Sequence, residues 1–389
     1  MSDTAPAALV IIGGGPAAHA ALQAYRKTRS AGRVVMISED TAPPYNRPPL
    51  SKDFLRGESD EDALPLEPPD FYSDGRTELM LAESVVALDP GSRTVRTGSG
   101  SEIRYEQCIL ATGCEPAKLD VPGADTVLRL RWLDQARRLR DTAQAARSAV
   151  VIGSGFIGCE AAASLAHRGL PVTMVSTETS PQLRRLGPAA AALITGWLES
   201  AGVRIHREAE VVGIGAGRIV RLSDGTVLST DLVLSAVGVT PRIELAEQAG
   251  AELRRGRVLV DGGMRTSVPG LFAAGDVAMA YNTGARRHLA VEHWGEAERM
   301  GEIAGTTAAG EPDQWSNPPG FWSEIGDHTL KYAGWGDGFD DAVPVHHDDG
   351  GLTVWYVKDD VTVGVLTSRA DDDYDRGQAL ISAGAPPPV

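Results

Sequence analysis

The chain has 389 residues, too many for one average domain and enough for two or three. Charged residues at 23% and hydrophobic ones at 42% describe an ordinary soluble globular protein, and a net charge of −15 argues against general affinity for nucleic acid or anionic membrane. No apolar run approaches the ~20 residues of a spanning helix, and the opening MSDTAPAA has neither a basic n-region nor a long apolar core, so the expected setting is the cytoplasm.

Leu9 to Ile12 reads as a buried strand that breaks at Gly13-Gly14-Gly15 into a helical pattern running to about Ser30. Gly13, Gly15 and Ala18 have the spacing of the dinucleotide fingerprint: a tight turn, close backbone approach to a pyrophosphate, and close packing of helix on strand. A second strand, Arg33 to Ile37, ends at Ser38-Glu39, and Glu39 lies where an acidic residue takes the ribose hydroxyls. Next comes APPYNRPPLSKDFLRG, residues 42–57. Pro48 and Pro49 predict an extended piece, Leu50 to Leu55 the start of a short helix, and Arg47 and Lys52 two cations projecting from it.

Thr77 to Arg104 reads as a small β-meander with turns at Asp89-Pro90-Gly91 and Gly98-Ser99-Gly100. Tyr105 to Gly113 is an apolar strand ending in Ala111-Thr112-Gly113, a tight turn at the carboxyl end of a parallel sheet, where ligands sit in such folds. At Ala149 the pattern restarts: strand, Gly153-x-Gly155-x-x-Gly158, helix to about His167, and strand Pro171 to Ser176. Two fingerprints about 140 residues apart call for two dinucleotides in one chain. The second unit ends its strand at Ser176, where an NADH-selective site usually places an acid; Glu178 follows two positions later, with Arg184 and Arg185 beyond. Glu178 tips the expectation towards NADH, and the Ser leaves room for the 2′-phosphate of NADPH. This unit closes with Asp231 to Val237 and a turn at Gly238.

Val258 to Asp261 is a short strand, and Leu271 to Ala278 a second apolar run carrying Gly275-Asp276 into a helix start, well suited to hold a ribityl or phosphate oxygen. Glu292-His293-Trp294 opens a helix running to about Ala304. From Trp315 onward, Phe321-Trp322-Ser323 is followed by strands at Thr329 to Gly334, Leu352 to Lys358 and Val361 to Thr367. His346-His347-Asp348-Asp349 are sequential on an extended segment and point to opposite faces, so no metal site is expected.

The order of fingerprint, Glu39 and YNRPPLSK, then a second fingerprint and Gly275-Asp276, resembles the ferredoxin reductase family of FAD/NAD(P)H oxidoreductases. That family includes putidaredoxin reductase and the biphenyl dioxygenase reductase, with apoptosis-inducing factor a more distant relative. The resemblance implies an α/β fold with two Rossmann-like domains, the second inserted in the first, and a small C-terminal α/β domain. Its boundaries would be 1–118 and 244–314 for FAD, 119–243 for NAD(P)H, and 315–389 for the last domain. It further implies that Arg47 and Lys52 lie on FAD, with Lys52 near the flavin N5 edge. Glu160 would pair with Lys52 where nicotinamide stacks, Glu292 and Trp294 would border the flavin, and the turn holding Trp322 would face it. His293 has no job assigned in that pattern. Lys52 and Glu160 are therefore the candidate catalytic residues.

Cys108, Cys114 and Cys159 form no C-x-x-C or C-x4-C pair, and no Cys lies between Glu39 and Lys52. This argues against disulfide reductases and the NADH peroxidase type. The implied activity is transfer from NADH or NADPH through FAD to a ferredoxin-type iron–sulfur protein, by a monomer or homodimer. The alternatives are an NADH oxidase or quinone/dye reductase without a protein partner, and a redox-responsive interaction protein like apoptosis-inducing factor. Arg137, Arg138 and Arg140, or Arg286 and Arg287, would form the basic landing patch for an acidic partner.

Overall fold

Short apolar runs that stop at glycine set the first layer. Ala7–Ile12 (AALVII) and Val34–Ile37 (VVMI) are apolar on both faces, as strands of a parallel sheet covered on both sides must be. In the computed structural model, which describes residues 6–29, 32–73, 75–215 and 218–388, they pair in parallel register from Leu9↔Val34 to Ile12↔Ile37. The chain divides into two compact units: Met1–Asn46, Pro65–Glu115 and Pro241–Phe321 form one, and Arg47–Leu64, Pro116–Thr240 and Trp322–Val389 the other.

In the first unit the strand order is Thr77–Met80, Val34–Ile37, Ala7–Ile12, Glu102–Leu110, with Leu271–Ala273 pairing the last of these. Glu102–Leu110 does two jobs. Its exposed first half pairs antiparallel with Thr94–Thr97, and its buried second half pairs in parallel with Ala7–Ile12. The meander expected over Thr77 to Arg104 therefore forms from Val85–Asp89 onward, while Thr77–Met80 joins the parallel sheet. The first helix spans Pro16–Lys27; its expected end near Ser30 lies outside the described residues. Trp294–Ala308 packs on that helix at glycine: a Cβ on Gly301 would lie 2.2 Å from the Ala17 carbonyl oxygen, and one on Gly305 2.3 Å from that of Ala21. Leu271–Ala273 leads into a three-residue 3-10 turn, Gly275–Val277, and then into strand Ala278–Asn282 rather than the expected helix.

In the second unit a parallel sheet runs Val203–His206, Val172–Val175, Ala149–Ile152, Leu232–Ser235. Its apolar face closes on the antiparallel strands Val211–Gly215 and Ile219–Leu222 through Val150, Ile152, Val175, Val220 and Leu222. Pro48–Ser51 is a 3-10 turn, not extended, because a proline φ near −65° suits that turn as well as it suits extended chain; the helix Asp53–Arg56 follows. The last strands form an antiparallel sheet in the order Gly320–Ile325, His328–Gly334, Val361–Ser368, Leu352–Lys358, Asp341–His346, with Trp355, Val365 and Ile381 in its core under helix Asp371–Ala383. Helix Leu183–Ser200 breaks at Gly187 (φ 75°), ahead of Pro188. There Tyr356 Oη donates to the Leu186 carbonyl freed by the break (2.8 Å), and the Phe339 ring fills the space a side chain at Gly187 would need (3.3 Å).

Among the described residues no helix is long and apolar enough to cross a membrane. Gly301→Val is expected to destabilise the first unit by about 1–3 kcal/mol or more, since the obstacle is backbone and cannot swing away. Urea unfolding against wild type checks this, and an unchanged midpoint would show that the helices can separate freely.

Candidate functional site

The first unit builds a cradle at the carboxyl ends of its parallel strands. Gly13 has φ 136°, and a Cβ there would sit 2.1 Å from the Ala111 carbonyl oxygen, so the fingerprint turn and the Ala111-Thr112-Gly113 turn touch backbone to backbone. Gly15 is the N-cap of Pro16–Lys27 and supplies no side-chain cap, which leaves the positive end of that helix to a ligand. Ala18 is fully buried, as the third fingerprint position requires. Gly275 packs against Ala17 (3.0 Å to a Cβ built on it), which brings the Gly275-Asp276 turn beside the start of the same helix; Asp276 is buried.

Two arginines without a motif organise this cradle. Arg242 binds Glu39 (Nη2 to Oε2, 2.7 Å), its N–H donates to the Gly113 carbonyl (3.0 Å), and its carbonyl accepts from Thr112 Oγ1 (2.8 Å). Arg257 donates to the Asp276 carbonyl and to the Glu292 carboxylate. His293 occupies the N-cap position of helix Trp294–Ala308 without a side-chain cap bond and stacks on Phe321 at 4.3 Å between ring centroids, and Trp294 is the first residue of that helix. Further along, partly buried Glu296 accepts from Trp315 Nε1 (2.9 Å) and Gly320 N (3.1 Å), and desolvation holds its carboxyl above the usual range.

The second unit repeats the cradle. Gly153 (φ 104°) would place a Cβ 2.4 Å from the Ala236 carbonyl oxygen, and Gly158 would place one 2.2 Å from that of Gly153. Above Gly155, the N-cap of helix Phe156–His167, the nearest atom to a Cβ is Gln182 Nε2 at 4.0 Å, so this position is open to a ligand. Ser176 is buried and shares a hydrogen bond with Ser154 Oγ (2.8 Å), while its Oγ accepts from Glu178 N (3.0 Å). Glu178 Oε2 in turn accepts from Arg184 N (3.0 Å), which fixes the carboxylate just past the strand end. Arg185 lies over the Phe156 ring at 5.4 Å. Gly238 (φ 109°) follows the fourth strand, its carbonyl bound by Ala117 N.

Lys52 and Glu160 meet in this unit, Nζ to Oε2, at 2.7 Å, each about 95% or more buried. Glu160 sits one turn into its helix, so its carboxylate serves the ammonium rather than the helix N–H groups. Ser51 Oγ donates to Oε2 (2.5 Å) and Ser323 Oγ to Oε1 (2.7 Å). Lys52 also donates to the Pro48 carbonyl (3.1 Å), and the Trp322 ring, half exposed, lies 5.0 Å from Nζ. Arg47, half-buried, precedes the turn that presents this pair. The sequence reading missed Ser51 and Ser323. The signal was present: a buried carboxylate has more lone pairs than one ammonium fills, and a hydroxyl stands beside Lys52 and another beside Trp322.

Cys108, Cys114 and Cys159 are buried and form no disulfide, and burial pushes the Cys108 and Cys159 thiols well up. Neither is poised as a thiolate nucleophile. Among the described residues no His, Cys, Asp and Glu cluster could hold a metal ion. Of the expected landing cations, Arg137 is taken by Glu61 (2.6 Å) and Asp134 (2.5 Å), and Arg140 covers the Phe54 ring; Arg138 and Arg286 are exposed.

Residues 7–301 match the pyridine nucleotide-disulphide oxidoreductase family and residues 320–389 the Reductase C-terminal family. The chain is 34% identical over 333 residues to the rubredoxin-NAD(+) reductase of Pseudomonas putida, covering 84% of this chain and 86% of that one. It is 33% identical over 336 residues to the ferredoxin--NAD(+) reductase component of the biphenyl dioxygenase system of Paraburkholderia xenovorans (85% and 81% covered). Among solved structures, the ferredoxin reductase for the CYP199A2 system of Rhodopseudomonas palustris superposes with a TM-score of 0.92 at 30% identity (98% and 96% covered). The putidaredoxin reductase of a covalent complex with putidaredoxin does so at 0.92 and 27% (98% and 94%). With two glycine cradles, a buried Lys–Glu pair and a matched C-terminal sheet, this chain belongs to the pyridine nucleotide-disulphide oxidoreductase family.

Proposed function

We propose that the chain takes electrons from NADH and passes them through FAD to a small iron–sulfur protein of the rubredoxin or ferredoxin type. The observation that carries this reading is the buried Lys52–Glu160 pair, in the same unit as the second fingerprint and beside a half-exposed Trp322. A charge pair so deeply buried costs several kcal/mol of desolvation, a cost that a catalytic position accounts for and a surface bridge does not. The similarity to a rubredoxin-NAD(+) reductase and a ferredoxin--NAD(+) reductase component supports the acceptor class.

Bound FAD would supply the redox chemistry, a two-electron uptake from a nicotinamide and one-electron release to the acceptor, while the chain's own residues hold and orient it. Gly13, Gly15, Ala18 and the uncapped helix behind them fit its pyrophosphate, Glu39 its ribose, and Asp276 its ribityl or phosphate oxygens. Glu292, His293 and Trp294 extend that cradle along the next helix start, and Arg47, Lys52 and Trp322 are assigned to the flavin. Gly153, Gly155, Gly158, Glu178 and Gly238 are assigned to the nicotinamide coenzyme. Lys52 is assigned to orient the flavin edge, and Glu160, 2.7 Å away, holds its ammonium in place. Glu178 is the residue proposed to disfavour a 2′-phosphate. With every cysteine buried, no step uses a protein thiol, and reduced buried thiols are in keeping with a cytoplasmic setting. Exposed Arg138, or alternatively exposed Arg286, is the cation proposed to meet an acidic partner.

Anaerobic titration of the FAD-loaded protein with NADH should bleach the flavin, and reoxidation should be faster with a rubredoxin or ferredoxin than with oxygen or quinone. A colourless protein unable to take up FAD would end this reading. Lys52→Ala should slow flavin reduction by about tenfold or more, ~1.4 kcal/mol in the barrier; an unchanged rate would remove Lys52 from the site. Glu178→Ser should narrow the preference for NADH over NADPH several-fold, on the order of 1 kcal/mol for a part-exposed charge. An unchanged ratio of kcat/KM values would show that the discrimination lies elsewhere.

A further inference from the structure

The two hydroxyls on Glu160 have one proton each and little choice of where to put it. Ser323 Oγ is buried and lies 2.7 Å from Oε1; Ser51 Oγ is buried and lies 2.5 Å from Oε2, against 3.4 Å to its other acceptor, the Pro48 carbonyl. With Lys52 Nζ added at 2.7 Å, three donors converge on one carboxyl group. A carboxylate accepts all three, whereas a protonated acid would aim its own O–H at one of them. Because each oxygen is held from a different part of the chain, the group cannot rotate about its Cγ–Cδ bond without breaking a bond on each side.

Both serines are themselves anchored. Ser164 Oγ donates to the Ser51 carbonyl (2.8 Å), which ties the 3-10 turn to the helix carrying Glu160. Ser323 is set by its neighbour: Glu324 Oε1 accepts from Arg56 Nη2 (2.6 Å), which also donates to the Gly326 carbonyl (3.3 Å). Arg56 closes the short helix Asp53–Arg56 that begins directly after Lys52, so the same helix that follows the ammonium also locates the serine opposite it.

Resting on the oxidoreductase reading above, we propose that Ser51 and Ser323 are positioning residues that lock Glu160 as a carboxylate and thereby fix the direction of the Lys52 ammonium. Ser323 brings the C-terminal sheet into this task, because it is the one donor of the three that the first strand of that sheet supplies.

The test uses the FAD-loaded holoenzyme with Ser323→Ala, Ser51→Ala and Ser323→Thr. Four quantities are read: FAD content, thermal midpoint, flavin midpoint potential, and anaerobic stopped-flow reduction by NADH. Ser323→Ala and Ser51→Ala should each keep FAD, lower the limiting reduction rate about tenfold with an unchanged NADH dissociation constant, and shift the potential. Ser323→Thr, which keeps the hydroxyl, should restore rate and potential. In a Glu160→Gln background Ser323→Ala should cost nothing further. An unchanged rate and potential in Ser323→Ala, or no rescue by Thr, would overturn the proposal. If Ser323→Ala does not fold, Ser323→Cys replaces it, and a wild-type rate there would be equally fatal. A wild-type protein that binds FAD and is reduced by NADH keeps these outcomes separate from failure of the oxidoreductase reading itself.

Discussion

One buried ion pair constrains the second unit more than any other contact. Lys52 and Glu160 lie more than a hundred residues apart in sequence, both out of water, and each stripped charge is tolerable only if its remaining hydrogen-bonding capacity is filled. The chain fills it with the Pro48 carbonyl, Ser51 and Ser323, and so the proline turn, the fingerprint helix and the first C-terminal strand must all converge on one point. The prolines at 48 and 49 set a rigid tight turn, which delivers Ser51 and Lys52 side by side with little freedom to lose.

The first unit is governed by backbone proximity instead of charge. Its cradle exists because Gly13 and Ala111 touch main chain to main chain, and its helix pair exists because Gly301 and Gly305 let Trp294–Ala308 settle onto Pro16–Lys27. Side chains at these places would push the layers apart. Arg242 and Arg257 then stitch the turns together: each guanidinium binds a carboxylate, that of Arg257 also donates to the Asp276 carbonyl, and the Arg242 backbone binds the Gly113 carbonyl and the Thr112 hydroxyl.

Much of this was legible in the residues. Both fingerprints, the strands and helices around them, and the C-terminal strands are local patterns of apolar runs and glycine stops, and Leu352–Lys358 turns into Val361–Ser368 as the spacing predicts. The misses have physical causes. Pro48–Ser51 curls because proline φ is common to extended and 3-10 chain, and Asp276 enters a three-residue turn because the following Ala278–Asn282 pairs with Arg257–Val260 and Arg287–Leu289, contacts that override the helix preference of its Ala and Met. Arg242 and Arg257 carried no motif, and Ser51 and Ser323, although they stand inside YNRPPLSK and Phe321-Trp322-Ser323, meet partners so distant in sequence that no window contains them. The arginine cluster of helix Leu133–Ala145 read as free positive charge, yet Glu61 and Asp134 neutralise Arg137. The family takes its name from disulphide chemistry, yet Cys108, Cys114 and Cys159 are all buried and form no disulfide.

The break at Gly187 has an evolutionary corollary. Because the Tyr356 hydroxyl satisfies the Leu186 carbonyl freed at the Gly187 break, and the Phe339 ring occupies the notch, helix Leu183–Ser200 and the C-terminal sheet share a joint there. A recombination that grafts this C-terminal module onto another reductase must transplant the glycine–proline bend together with its aromatic socket. Lineages that shuffle such domains should therefore inherit the two as one cassette.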